Sequence, residues 1–249
     1  MAKRRKQSSP IESLILLMML FIETIIILLI RIIKFMYDLI TFFSSKYKQK
    51  SGNTFFKTYF SKGNYGEFIL YRKMIRLFGK ESVLTNVYLD NTNTDTTEID
   101  VLAVSSKGIY VFEMKNYSGY IYGSDQDQYW TQVLNRWSKN KFYNPLRQNY
   151  THTKAVESYL EISSDFIIPI VVFSNRSKLS KIVIKEHQNV FHYKDALKYV
   201  KRSEKKEINR LSLKEKQDYI VRLINRCNMS EEIKQKHISD VKGLQKQVG

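Results

Sequence analysis

From Ile11 to Phe43 the chain is almost continuously apolar, and a run of that length leaves its backbone little choice. At about 1.5 Å per residue, a helix over Ile11–Ile33 crosses a hydrocarbon layer of about 30 Å. Inside such a layer a lone segment satisfies its own N–H and C=O groups only as a helix. No small-residue Ala-x-Ala site follows that would release it as a signal peptide. The expectation is an uncleaved single-pass anchor in the cell membrane, the alternative being an amphipathic helix lying on the surface. Lys and Arg flank both ends, Lys3–Lys6 before and Arg31, Lys34, Lys46, Lys48 and Lys50 after. The balance leans to a cytoplasmic C-terminal side. Glu12, Glu23 and Lys34 recur every eleven residues, three helical turns, and share one stripe. A carboxylate near mid-membrane, as at Glu23, is protonated, paired or turned to a partner. The stripe predicts a homo-oligomer through this helix, with simple protonation of Glu23 as the plain alternative.

The chain as a whole is strongly basic. Forty-one Lys and Arg against twenty-four Asp and Glu leave a net charge of +17. That favours polyanionic partners, nucleic acid or anionic headgroups, without choosing between them. The single cysteine, Cys227, excludes an internal disulfide and a Cys-based zinc site, and fits a reducing compartment.

Residues 98–115 carry the densest pattern. Two β-patterned runs, Glu98–Ser105 and Ile109–Lys115, flank a short turn at Ser106-Lys107-Gly108 and predict a hairpin. Alternation puts Glu113 and Lys115 on one face, Met114 on the other, and pairing about the turn sets Asp100 opposite them. Such residues are rarely buried unless paired or holding a metal. Two neighbouring carboxylates suit Mg²⁺ or Mn²⁺, and an adjacent lysine can orient or deprotonate a bound water. The plain alternative is an edge strand with a salt bridge on its solvated face.

Around the hairpin, Asn64–Gly79 reads as a helix with Phe68, Tyr71, Met74, Ile75 and Phe78 at 3–4 spacing. Glu67 falls in its first turn, where complementing the helix dipole is the simple reading. Lys46–Asn53 reads as a polar tether, Val83–Leu89 as a strand and Asp90–Thr97 as a polar loop. Tyr117–Tyr122 is a short strand, and Trp130 and Trp137 are expected to pack a lid over the sheet, with base stacking as the alternative. Asn144-Pro145 starts a helix to about Leu160, with Gln148 and His152 on one face. His152 could accept or donate a proton, but the expectation is a solvated or structurally bonded histidine. Phe166–Phe173 is a buried strand, Lys181–Ile184 and Val190–His192 are further strands, and Asp195–Val200 is a short helix. Ser212-x-x-Glu215 is a capping box, its helix packing on the core, and Ser230 caps a last helix.

Asp100 followed by Glu113-Met114-Lys115 resembles the PD-(D/E)xK nuclease core, and the wider chain is similar to its NERD (nuclease-related domain) branch. The likeness runs through Gly66-Glu67, Ile99-Asp100, Gly108–Val111, Glu113–Asn116, Gly119, Gly123, Trp130, Asn144-Pro145-Leu146-Arg147-Gln148 and Phe173-Ser174-Asn175. It covers roughly Lys62 to Asn175; Ile99 stands where the pattern usually has Pro. The resemblance implies an α/β restriction-endonuclease-like fold: a mixed central sheet flanked by helices, here with an N-terminal transmembrane helix and C-terminal helices. The expected organisation is a basic leader (1–10), an anchor and its flank (11–43), a tether (44–61), the nuclease-like domain (62–200) and a charged helical extension (201–249). The resemblance also implies a Mg²⁺- or Mn²⁺-dependent nuclease acting on nucleic acid, DNA foremost. Asp100 and Glu113 would hold the metal, Lys115 would position or activate water, and Glu67 and Gln148 would complete the site. The competing readings are a non-catalytic nucleic-acid-binding module and a membrane assembly or sensor protein.

Overall fold

In the computed structural model the hairpin forms as its pattern requires. β2 (Asp95–Val104) and β3 (Ile109–Lys115) run antiparallel with Val104 opposite Ile109, and Ser105 donates its N–H to the Gly108 carbonyl at 2.9 Å. Gly108 has φ +149°, and a Cβ there would lie 2.5 Å from the Phe166 carbonyl oxygen, so the turn needs glycine. The structure describes residues 10–91, 95–186, 188–206 and 208–227.

β1 (Val83–Asn91) adds antiparallel to β2, while β7 (Ile167–Phe173) joins β3 and β9 (Val190–His192) joins β7, both in parallel. The resulting five-stranded mixed sheet has the order β1-β2-β3-β7-β9. The parallel step from β3 to β7 needs a crossover, and α5 (Pro145–Leu160) supplies its helix. Successive side chains of β3 face opposite ways. Ile109 and Val111 enter a core with Ala155, Val156 and Leu160 of α5 and with Leu223 of α7 (Leu213–Ile224). Tyr110 stacks on Phe112 and meets Phe78 of α4 (Lys62–Phe78), so α4 covers the other face. α7 starts on the expected capping box, with Ser212 and Glu215 each bonded to the other's backbone N–H. α6 (Tyr193–Lys206) is longer than the expected Asp195–Val200.

A second sheet, beyond the expected central one, has the order β6-β5-β4-β8, from β4 (Gly119–Ser124), β5 (Tyr129–Asn135), β6 (Ser138–Tyr143) and β8 (Ser177–Val183). Its inner face packs Ile121 and Trp130 on Val171 and Phe173, with the Trp130 and Phe173 rings stacked 6.1 Å apart. The two tryptophans part company here. Trp130 is buried as expected, but Trp137, expected in the same lid, is 85% exposed at the β5–β6 turn, with the Arg136 guanidinium 5.1 Å from its ring.

Three other expectations are corrected. Asp90–Thr97 is not loop throughout: Asp90 pairs with Thr96 and Asn91 with Asp95, because the antiparallel ladder carries polar residues along its exposed end. The polar stretch Lys46–Asn53 is not a free tether. It contains α2 (Tyr47–Ser51), whose buried Tyr47 packs against Phe68 and Tyr71. Lys50 is buried there too, donating to the carbonyls of Lys80 and Val83, and burial pushes its amine down to about 8. After α3 (Phe55–Phe60), Ser61 caps α4 with its hydroxyl on the Asn64 N–H, so α4 starts two residues earlier than expected.

The chain forms two compact units that part at Ser44. The first is α1 (Pro10–Ser44), a helix long and apolar enough to cross a membrane, with mean hydropathy 2.9 in its most apolar window. The second begins at Ser45 and holds both sheets. The basic leader, except Pro10, and the expected helix after Ser230 lie outside the described residues.

Candidate active site

β2 and β3 position the charged residues. The register that pairs Val101 with Phe112 runs on to bring Asp100 beside Glu113. Asp100 Oδ2 accepts the Met114 backbone N–H at 2.7 Å, which fastens its carboxylate to the strand bearing the other two groups. Glu113 is buried, with Oε1 2.6 Å from Lys115 Nζ and Oε2 2.9 Å from His152 Nε2. Lys115 Nζ donates also to Gln148 Oε1 at 2.9 Å. Nδ1 of His152 lies 2.8 Å from the Thr97 hydroxyl. A neutral imidazole satisfies both contacts, donating from Nε2 to Glu113 and accepting at Nδ1 from Thr97.

α4 brings the third carboxylate. Because the helix starts at Lys62, Glu67 is past the first turn and does not serve the dipole as the simple reading supposed. Its Oε2 is buried without a hydrogen-bond partner. Burial first, then the charges of Glu98 and Glu113, push the Glu67 carboxyl up to about 8, against smaller lowering effects of Lys115 and a hydrogen bond from Asn86. Asp100 is likewise pushed well above the ordinary carboxylate range by burial, Glu113 and Glu67. Glu113 goes the other way. Burial raises it, but Lys115 and His152 outweigh that and hold it below the ordinary value. Lys115 is raised, since the attraction of Glu113 and Asp100 exceeds the burial that would lower it.

Three carboxyl groups act on one another around one ammonium, and one of their oxygens, Glu67 Oε2, is buried without a hydrogen-bond partner. Those are oxygen donors of the kind a hard divalent ion takes. Among the described residues no group of three or more His, Cys, Asp and Glu is placed so that together they could hold a metal ion. An ion that keeps several waters needs only one or two carboxylates, so the residues fit Mg²⁺ better than a fully coordinated ion.

The geometry thus brings all five sequence-predicted residues, Glu67, Asp100, Glu113, Lys115 and Gln148, into one electrostatic cluster. The nuclease-related domain model, NERD, matches residues 62–174. The uncharacterized protein pXO1-01 of Bacillus anthracis is 33% identical over 180 residues, spanning 71% of this chain and 82% of that one. This chain belongs to the NERD family. The solved structure of AF1548, a protein of unknown function, overlaps 74% of the chain and 98% of its own length, at 13% identity and a TM-score of 0.32.

The uncharged NERD motif residues position the charged ones. Gly66 lets Asn116 come close: a Cβ at residue 66 would meet the Asn116 Cβ at 2.7 Å. Asn144 caps α5 through the Leu146 N–H and donates to the Ser124 and Asp127 carbonyls, fixing the helix that carries Gln148 and His152. Ser174 donates its N–H to the Lys115 carbonyl and its hydroxyl to the Tyr117 carbonyl, bracing the chain just after Lys115. Gly123 leaves room for the Trp130 ring, which a Cβ would approach to 2.3 Å.

Sequence reasoning missed the link from His152 to Glu113, although the shared face of Gln148 and His152 was a usable sign. It also missed Thr97, Glu98 and Asn86. Asn86 sits in β1 at φ +51°, bonds to Glu98 and interrupts the pairing with β2 beside Asp100. A left-handed asparagine inside an apolar strand leaves no periodic signature.

Proposed function

We propose that this NERD protein is a membrane-anchored, divalent-metal-dependent nuclease that hydrolyses phosphodiester bonds, with DNA as the first substrate to test. α1 would hold it in the cell membrane as a single pass, with the domain from Ser45 on the cytoplasmic side. Glu23 would favour self-association of the helix. The observation that carries the catalytic reading is the unpartnered Glu67 Oε2 beside the Glu113–Lys115–Gln148 chain. A structural ion pair has no use for two further carboxylates held near it at raised proton affinity.

Asp100 and Glu113 would hold Mg²⁺ or Mn²⁺, with Glu67 at their side; the bound ion supplies charge for the phosphoryl oxygens and lowers the pKa of its water. Lys115 stays protonated, so it acts as a donor that orients the attacking water and steadies negative charge, not as a base. Gln148 holds the Lys115 ammonium and His152 holds the second oxygen of Glu113, so neither charge has to reorganise when substrate arrives. Glu67 and Asp100 must give up protons before the cation is held, which couples metal affinity to pH.

A cleavage assay tests the proposal. The full chain in neutral-lipid nanodiscs is given plasmid, linear and single-stranded DNA and RNA, with Mg²⁺, Mn²⁺ or EDTA. Glu113→Ala and Lys115→Ala are each expected to lower the metal-dependent rate by about 10²-fold or more. Cleavage that persists in EDTA, or that both variants retain, refutes it.

A further inference from the structure

The outer face of the second sheet holds chemistry that the buried site does not use. Cross-strand partners lie on the same side of a sheet, so the registers sort its residues. Tyr120 is opposite Val133 and Lys178, and Tyr122 is opposite Thr131 and Lys181. Thr131 is opposite Lys141, Val133 opposite Lys139, and Tyr129 opposite Tyr143. One face therefore bears four tyrosines, Tyr120, Tyr122, Tyr129 and Tyr143. The same face bears four lysines, Lys139, Lys141, Lys178 and Lys181. The opposite face, with Ile121 and Trp130, is the one closed against Phe173.

This outer face is open to solvent: Tyr120 is 45%, Tyr122 37% and Tyr143 42% exposed. The four strands contain no Asp or Glu. Tyrosine rings kept in water, interleaved with lysines and free of acids, match a partner with flat π-faces and a negative backbone. Tyr120 and Tyr122 are two residues apart on one strand, about 7 Å, so each ring can take a base of its own. The Lys178 ammonium lies over the Tyr120 ring, 5.6 Å from its centroid, so a base stacking there would meet a cation within reach of its own phosphate. A duplex hides the π-faces of its bases, so the face suits unpaired strands. It also starts close to the cluster. Only four steps of chain, at most about 14 Å, separate Lys115 from Gly119 at the head of β4.

We propose that the outer face of the β6-β5-β4-β8 sheet, whose strand β4 begins four residues after Lys115, is a stacking platform for single-stranded nucleic acid. The platform rests on the nuclease reading only for its purpose; binding itself needs no catalysis.

The test is fluorescence anisotropy with a labelled single-stranded oligonucleotide and its duplex. The full chain is held in phosphatidylcholine nanodiscs in EDTA, so that no strand is cut. The single strand is expected to bind about tenfold or more tighter than the duplex. Replacing Tyr120 and Tyr122 together by alanine should weaken single-strand binding about tenfold or more, while the paired Phe replacements keep it. Lys139→Gln with Lys141→Gln should reduce the slope of log affinity against log salt by about 1.4. Equal or better duplex binding, or affinity untouched by the alanine pair, overturns the platform. So does a face that binds phosphatidylserine vesicles through these residues but no oligonucleotide. If the alanine pair fails to fold, an unchanged salt slope in the lysine pair serves as the refutation. Single-strand binding through this face, with no cleavage once Mg²⁺ or Mn²⁺ replaces the EDTA, would sink the nuclease reading alone. Cleavage without it would sink the platform alone.

Discussion

Replacing Glu67 by glutamine removes the carboxyl that burial, Glu98 and Glu113 hold up at about 8, and keeps its shape. The effect on stability has a definite sign. The unfolded chain releases this proton near 4.5 and the folded chain near 8, so between those values the folded state binds more protons. Stability of the wild type, measured against Glu67→Gln, must therefore fall as pH rises from about 5 to 8. The shift is 8 − 4.5 = 3.5, and at about 1.36 kcal/mol per unit the ceiling is about 5 kcal/mol. Glu67 as a residue is half-buried, although its Oε2 is sealed, and solvent reduces the effect to about 2–3 kcal/mol. Urea unfolding of both proteins in detergent with EDTA, at pH 5, 6, 7 and 8, reads it directly. Emission of the buried Trp130 reports the transition, in a Trp137→Phe background to silence the exposed ring. Adding Mg²⁺ should flatten the difference, because the cation replaces the proton. A difference that stays level from pH 5 to 8, or that grows in favour of wild type, refutes the electrostatic reading of the site.

Other outcomes follow from particular contacts. His152→Ala leaves Glu113 Oε2 and the Thr97 hydroxyl without a shared partner, and should cost about 1–3 kcal/mol in urea unfolding while moving the acid limb of any metal-dependent activity to higher pH. Gly123→Ala drives a Cβ to within 2.3 Å of the Trp130 ring, and should destabilise by about 3 kcal/mol or more with a change in Trp130 emission; wild-type melting would contradict the close packing. Glu23→Leu should lower self-association in nanodiscs and detergent, as read by cross-linking and light scattering. An unchanged oligomeric state would refute a role for Glu23 in helix association.

Much of this protein is legible along the chain because local rules suffice there. The apolar run determines α1 by length alone, and Asn144-Pro145 and the Ser212–Glu215 box mark their helix starts to the residue. Asp100, Glu113, Lys115 and the hairpin that joins them are close in sequence, so strand alternation and one turn bring them together. Tertiary structure decided what depends on distant partners. Lys46–Asn53 looks like linker because its residues are polar, yet Tyr47 and Lys50 find their partners only after α4 and β1 are in place. His152 serves Glu113 only because α5 crosses over β3. Glu67 changes from a helix-end charge to a buried acid because α4 begins at Lys62, capped by Ser61, and packs on the sheet. The tyrosine and lysine face arises from the register of four strands, two of them far apart in sequence. Periodicity records which way a side chain points within its own element. The ionisation of a carboxyl is set by what other elements place around it, and that information exists only in three dimensions.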